Sequence, residues 1–106
     1  MWRVEILNRT VERELGALAQ DIRQRFLRIS ELIEAHGIAA MREPHVKHLE
    51  GKLWEMRMKG RDGIARAIYV TTLGERVVVL HAFAKKTQKT PTRALEIART
   101  RAKEVK

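Results

Sequence analysis

The sequence contains no cysteine, two prolines and few aromatic residues. Without cysteine, neither a disulfide framework nor a thiolate zinc site can form, which fits a reducing compartment. Aromatic residues make up 5% of the chain, too few for a single-strand nucleic-acid binder built on stacking platforms. No apolar run approaches the roughly 20 residues that span a bilayer, and the N-terminus lacks the apolar region of a signal peptide. We therefore expect a soluble cytoplasmic protein.

Acidic residues are also scarce relative to basic ones. The chain has 13 Asp and Glu against 22 Lys and Arg, and its formal net charge is +9. Residues 85–106 alone carry eight Lys or Arg and two Glu. Such a charge attracts polyanions and accelerates encounters with them. A nucleic acid is therefore the first candidate partner, and contacts to phosphates should matter more than contacts to bases.

The length and apolar content predict one domain spanning residues 1–106. Alternating apolar and polar residues over 2–7 predict a short strand near a sheet edge. Asn8 and Thr10 can cap a helix that starts near Val11, and His36-Gly37 supplies its end. Its apolar stripe consists of Val11, Leu15, Leu18, Ile22, Phe26, Ile29 and Ile33. One long helix and a helical hairpin broken near Gly16 are both compatible with this pattern.

Residues 38–51 show no sustained period and are predicted to form a connecting loop. His45 and His48 have a spacing that a metal site can use. Because the segment offers no third ligand or cysteine, an ordinary surface loop is the preferred interpretation. We predict neither a metal nor a cofactor.

Three further strands and a helix are predicted downstream. Residues 52–59 alternate in polarity, and the largely apolar residues 64–71 form the returning strand of a hairpin around the turn at 60–63. A third strand contains the apolar run 77–80, and a helix follows from about Pro91 to Lys103. The fold class is therefore α+β: an N-terminal strand, one or two helices, a three-stranded antiparallel meander and a C-terminal helix.

The apolar run 77–80 leads directly into a basic, hydroxyl-bearing segment. Its polar members are Lys85, Lys86, Thr87, Lys89 and Thr90. Thr90-Pro91 has the pattern of a helix N-cap followed by proline at the first helical position. Lysines beside a helix N-terminus favour an anion. A solvated edge of the sheet is the alternative interpretation.

Two residues on the predicted strands carry open alternatives. Arg66 alternates with aliphatic residues, so it either forms an ion pair, for which Glu55 across the hairpin is available, or binds phosphate. His81 has the intrinsic pKa of a general base, but it is equally compatible with a core histidine at a strand end.

Three segments together resemble the RelE/ParE superfamily of bacterial toxins, and most closely its phage-derived, HigB-like branch. These segments are LWEMR at 53–57, IARAIY at 64–69 and LHAFAKKTQKTP at 80–91. The resemblance covers almost the whole chain and implies a RelE-like fold. It also implies the toxin of a type II toxin–antitoxin system, which cuts mRNA in the ribosomal A site by metal-independent attack of a ribose 2′-OH on the adjacent phosphate.

The resemblance also implies roles for individual residues. Arg57 and Arg66 match family positions that contact phosphate, Lys86 matches the basic position beyond the central strand, and Lys85 can assist it. Relatives use a tyrosine or histidine near the C-terminal helix, but this chain has neither after His81. His81 and the two lysines are therefore the candidates for proton transfer. The expected RNA- or phosphate-binding residues are Lys59, Thr87, Lys89 and Thr90.

The implied partners are a cognate antitoxin, in this branch often a helix-turn-helix protein, and the ribosome with its mRNA. The toxin would be a monomer or part of a toxin–antitoxin hetero-oligomer. Two alternatives remain open at this point. One is a ParE-like inhibitor of DNA gyrase, which needs no RNA-cleaving site. The other is a noncatalytic nucleic-acid-binding module, for which a net charge of +9 would suffice.

Overall fold

The computed structural model of the protein describes residues 1–42, 44–85 and 89–106. One strand and two helices are followed by four consecutive strands and a C-terminal helix. Their bounds are β1 Arg3–Ile6, α1 Arg9–Gly16, α2 Gln20–His36, a 3-10 turn Ile38–Ala40, β2 Val46–Glu50, β3 Leu53–Lys59, β4 Ile64–Thr72, β5 Arg76–Lys85 and α3 Thr92–Ala102. The predicted α+β class and element order are confirmed. None of the helices described is long and apolar enough to cross a bilayer.

The sheet has the strand order β1-β5-β4-β3-β2. Strands β2 to β5 form an antiparallel meander, and β1 pairs in parallel with β5. The predicted interior position of the 77–80 strand is confirmed, because β5 lies between β1 and β4. All four residues of this apolar run are buried. Helices cover both faces of the sheet at this strand.

Strand β2 corrects the prediction of a loop over 38–51. It pairs with β3 through Val46↔Met56 and His48↔Trp54, with a register shift before Glu50. Only Val46 among its residues is fully buried. An edge strand with one buried side chain shows no apolar alternation, so its pairing with β3, rather than its own sequence, reveals it. The meander therefore has four strands instead of three.

The N-terminal helical segment is a hairpin of two helices. Asn8 caps α1 as predicted: its Oδ1 accepts a hydrogen bond from the Val11 backbone N at 3.0 Å. Helix α1 begins at Arg9, slightly before the predicted Val11, and ends at Gly16. The predicted end of α2 at His36 is confirmed, and Gly37 has a φ of 85° that favours glycine.

The two faces of the sheet bury separate cores. Helices α1 and α2 cover one face, where their apolar stripe meets Met56, Met58, Tyr69, Val77 and Val79. Helix α3 covers part of the other face, where Ala94 and Ala98 pack near Ile68, Val78 and Leu80. Small residues on α3 allow it to approach the sheet closely. The part of this second face that lies beyond α3 carries the predicted site residues.

Candidate functional site

Charged residues alternate with apolar ones on β3, and this pattern places Glu55, Arg57 and Lys59 on one face of the sheet. Across the ladder Arg57 lies opposite Arg66 on β4, and Arg66 lies opposite Phe83 on β5. Directly opposed residues of antiparallel strands share a face. Two predicted phosphate-binding arginines are thus direct neighbours.

Lys85 belongs to the same surface. The next row of the ladder runs from Lys59 through Ile64 to Lys85. Lys59 is exposed, whereas Lys85 is buried, with 5% of its surface accessible. We call Arg57, Arg66 and Lys85 the cation cluster. The fold therefore gathers three of the predicted catalytic residues from three adjacent strands.

The carboxylate of Glu55 lies within the cation cluster and is 1% exposed. Its Oε1 is 3.4 Å from Nε of Arg57 and 3.4 Å from Nε of Arg66. Its Oε2 accepts a hydrogen bond of 2.8 Å from the Thr90 hydroxyl. The ion-pair alternative for Arg66 is thus observed, with Glu55 as the partner, while its role in binding phosphate stays a prediction. One carboxylate therefore links β3, β4 and the segment that leads into α3.

Thr90 thus has a different role from the predicted N-cap. Helix α3 begins at Thr92, its N-cap position is occupied by Pro91, and no side chain there accepts a capping hydrogen bond. The predicted helix start is displaced because the Thr90 hydroxyl donates to Glu55 instead. A buried carboxylate needs donors more than an exposed helix end does, since water can hydrate the latter. The predicted site residue Thr90 is therefore brought to the cation cluster.

Arg66 is more buried than Arg57, with 4% of its surface accessible. Although Glu55 lies at ion-pair distance, Nε of Arg66 completes no hydrogen bond within the described residues. Nη1 makes one long contact of 3.4 Å to the backbone oxygen of Ala65. Burial and the neighbouring Arg57 lower the pKa of Arg66, and Glu55 opposes this shift. A guanidinium remains charged in proteins. Arg66 is therefore a buried cation whose Nε–H group is available to a ligand.

The pKa of Lys85 is lowered by burial and by the positive charges of Arg66, Arg57 and Lys47, and Glu55 opposes this shift. A lowered pKa makes a lysine a better proton donor near neutral pH. Lys85 is thus suited electrostatically to a proton-transfer role, as well as to binding an anion.

An open cavity of 380 Å³ borders the cation cluster. It is lined by Arg25, Pro44, His45, Arg57, Met58, Lys59, Ile64 and Arg66. Four of these eight side chains are Lys or Arg, and no carboxylate of the described residues lines the cavity, so the space favours an anionic ligand. A larger cavity of 710 Å³ lies beside Trp54 and Thr71 and contains none of the predicted site residues.

His81 lies away from the cavity in a different set of contacts. Its Nδ1 is 2.9 Å from Oε1 of Glu14, and its ring stacks on Phe83 with centroids 5.0 Å apart. The same Glu14 oxygen accepts from Arg101 of α3 at 2.9 Å and from the Ala82 backbone N at 3.1 Å. These contacts support the core alternative, in which His81 fastens β5 to α1 and α3. Its role as a base stays a prediction.

Of the remaining predicted site residues, the structure describes only Lys89. Lys89 is exposed next to Thr90. Lys86 and Thr87 lie outside the described residues, so their predicted roles stay predictions. Within the described ranges, no group of three His, Cys, Asp or Glu is placed to hold a metal ion. The two histidines of 38–51 make separate contacts: His45 lines the cavity, and Nε2 of His48 lies 2.7 Å from the Gly51 backbone oxygen.

Sequence reasoning missed two contributors to this site. Glu55 was expected only as a partner of Arg66, although its alternation with Arg57 on β3 places both on one face. Arg25 lines the cavity from α2. No local pattern distinguishes Arg25 from the other exposed arginines of that helix, because the packing of α2 on the sheet decides which of them reaches the cavity.

Comparisons with known proteins bear on the family and the fold of the chain. The family model described as "Phage derived protein Gp49-like (DUF891)" matches residues 13–103. A chain of the crystal structure of the archaeal RelE–RelB complex from Pyrococcus horikoshii OT3 is similar, with 26% sequence identity and a TM-score of 0.57. The alignment covers 78% of this chain and 93% of that one. A search of curated proteins found no significant match.

Proposed function

Because the chain belongs to the phage-derived Gp49-like family and to the RelE superfamily of toxins, we propose that it cleaves mRNA on the ribosome. In this proposal it is the toxin of a type II toxin–antitoxin system of the HigB-like branch, and it acts in the cytoplasm. The observation that carries the proposal is Arg66, which is buried beside Arg57 at a basic cavity with its Nε donor unpaired among the described residues.

The proposed reaction is attack of a ribose 2′-oxygen on the adjacent phosphorus. The P–O bond to the 5′-oxygen of the next nucleotide breaks, which leaves a 2′,3′-cyclic phosphate and a 5′-hydroxyl. This step needs a base for the 2′-OH, donors for the charged phosphate oxygens and an acid for the leaving 5′-oxygen. The cavity is open enough to admit a phosphodiester to the two arginines.

Arg57 and Arg66 would bind the phosphate oxygens on which charge develops. Their guanidinium groups are fixed by the sheet and by Glu55, so little reorganisation is needed when the transition state forms. Lys85, whose pKa is lowered, would transfer a proton, together with Lys86 beyond the strand. Lys59, Thr87 and Lys89 would contact neighbouring phosphates of the strand, whereas the Thr90 hydroxyl is already held by Glu55. Each such contact releases counterions, so binding should weaken steeply with salt.

An antitoxin partner follows from the same comparison. The similar structure from Pyrococcus horikoshii is a RelE–RelB complex. By analogy, this toxin would pair with a cognate antitoxin, of the helix-turn-helix type expected for its branch, and would otherwise be a monomer. A partner that covers the basic cavity would block RNA, which is the simplest way for an antitoxin to neutralise it.

The proposal is tested by incubating the purified protein with programmed ribosomes and mapping the mRNA ends by primer extension. We expect new ends within the A-site codon for the wild type, and their loss in folded Arg57→Gln and Lys86→Ala variants. If the wild type yields no new mRNA ends, with or without ribosomes, the proposal of a nuclease is overturned. Inhibition of DNA gyrase would then identify a ParE-like toxin, and salt-sensitive binding of intact RNA a noncatalytic module.

A further inference from the structure

The carboxylate of Glu55 is the least expected feature of a site that binds polyanions. It is 1% exposed, and a negative charge at the cation cluster repels the phosphate that the cluster would bind. Burying a carboxylate is also costly unless its partners compensate. A residue that opposes ground-state binding and is costly to bury must contribute something else to the site.

The contacts of Glu55 show what that contribution can be. One oxygen is equidistant from Nε of Arg57 and Nε of Arg66, at 3.4 Å each. These distances are long for ion pairs, so the carboxylate orients both guanidinium groups without saturating their donors. The other oxygen holds Thr90 at 2.8 Å. Thr90 directly follows Lys89, so this hydrogen bond also holds the backbone at Lys89–Thr90 close to Glu55.

We infer that Glu55 is the positioning residue of the site: it orients Arg57 and Arg66 and holds Thr90, just before α3, beside them. This inference rests on the proposed function for its catalytic meaning, but the contacts themselves can be tested without RNA. Glu55 acts through its neighbours and does not touch the reacting atoms. Its negative charge weakens binding of the substrate, but its contacts fix the arrangement of the donors. A fixed arrangement stabilises the transition state more than the ground state.

This role predicts an unusual separation of kinetic constants in the Glu55→Gln variant. The amide keeps the shape and can still accept from Thr90, but it loses the charge that orients the two arginines. We expect kcat to fall about a hundredfold, the typical effect of a small misplacement of catalytic groups. KM should stay unchanged or fall, because the site gains one unit of net positive charge. Glu96→Gln removes an equal charge from the exposed face of α3 and serves as the matched control.

A second variant tests the inference if Glu55→Gln does not fold. Thr90→Val keeps every charge of the site and removes only the hydroxyl that donates to Glu55. We expect it to lower kcat severalfold with little change in KM, whereas Thr92→Val, at the exposed start of α3, should match the wild type. Equal kcat for Thr90→Val and Thr92→Val would overturn the link between Glu55 and the basic segment.

A measurement on the free protein separates this inference from the nuclease proposal. In NMR spectra of protein with labelled arginine and lysine, Glu55→Gln should shift the Nε–H signals of Arg57 and Arg66. It should also lower the titration midpoint of Lys85, since Arg66, Arg57 and Lys47 would then face that lysine without the opposing carboxylate. Unmoved signals and an unmoved midpoint would overturn the inference, whether or not the wild type cleaves RNA.

The kinetic outcomes are equally decisive. Unchanged kcat and KM in folded Glu55→Gln would show that the carboxylate is a bystander. A parallel loss of RNA affinity and thermal stability would show that it only maintains the fold. A lower kcat at equal or lower KM, together with the shifted signals, would establish the positioning role.

Discussion

Arginine–carboxylate pairs in two regions of this protein, the surroundings of α3 and the cation cluster, differ in geometry. At the periphery, Arg99 binds Glu50 with two hydrogen bonds of 2.7 Å, and Arg101 binds Glu14 at 2.9 Å. In the cation cluster, Arg57 and Arg66 share one oxygen of Glu55 at 3.4 Å. The peripheral pairs satisfy their donors and fix α3, whereas the cluster keeps donor capacity beside an open cavity. In these two regions, the short pairs hold α3 in place, and the long pairs leave donors available at the site.

The largest effect that distinguishes the two regions is expected from Arg66. Arg66→Gln should lower the rate of mRNA cleavage a hundredfold or more, about 3 kcal/mol of transition-state stabilisation, because a preorganised donor is lost. Arg99→Gln removes the same charge from a peripheral pair and should keep close to the wild-type rate. Single-turnover cleavage on programmed ribosomes measures both, with thermal unfolding as the check on folding. Equal losses in the two variants would remove the functional distinction between the regions.

The next effect concerns the peripheral pair of Glu14. Burial alone would raise the pKa of Glu14, but hydrogen bonds from Arg101, His81 and the Ala82 N–H outweigh it and lower the pKa. Glu14→Gln should reduce the free energy of unfolding by about 2–3 kcal/mol, since it weakens contacts to charged donors. Chemical denaturation at pH 7 measures the loss.

The pH dependence of the same variant provides its control. A carboxyl whose pKa is lowered in the folded state stabilises the protein at pH values above its ordinary pKa of 4.5. This stabilisation is lost as the pH falls through the lowered pKa of the folded state. The Glu14→Gln curve should therefore be flatter than the wild-type curve below about pH 4.5. Parallel curves would contradict the role of Glu14 in this clamp.

A smaller effect, on the pH dependence of cleavage, is expected from Lys85 of the cation cluster. Because its pKa is lowered by burial and nearby cations, its charged form should disappear as pH rises through a value below the ordinary 10.5. Cleavage should therefore decline on the alkaline side, and Lys85→Arg should move this decline to higher pH. The pH–rate profile in single turnover measures it. An identical alkaline limb in Lys85→Arg would assign the decline to another group.

The smallest effect is expected on the opposite face of the sheet. Tyr69 is 1% exposed, its hydroxyl has no hydrogen-bond partner within the described residues, and burial raises its pKa. Unlike Arg66, it lies in the core beneath α1 and α2. Tyr69→Phe should leave cleavage unchanged and alter stability by less than about 1 kcal/mol, in the stabilising direction. A large loss of activity would show that unpaired donors matter beyond the cavity.

Local patterns were sufficient where each element carries its own periodicity. The apolar run 77–80 predicted an interior strand, and Arg66 among aliphatic residues indicated either an ion pair with Glu55, which is observed, or a phosphate-binding role. Strand β2 was not predictable, because only Val46 among its residues is buried and its pairing depends on β3. The contact of Thr90 with Glu55 was missed for a related reason, because it joins residues 35 positions apart. The local sequence Thr90-Pro91 indicates only a helix cap.

The chemistry of the cut RNA tests the central claim most directly. Ribosome-bound mRNA should be cleaved by the wild type to a 2′,3′-cyclic phosphate, or its hydrolysis product, and a 5′-hydroxyl, as analysis of the new ends would show. A 2′-deoxy substitution at the cleaved nucleotide should abolish the reaction, because the nucleophile is absent. Ends with a 3′-hydroxyl and a 5′-phosphate, or undiminished cleavage of the 2′-deoxy substrate, would contradict attack by the ribose hydroxyl at the cation cluster.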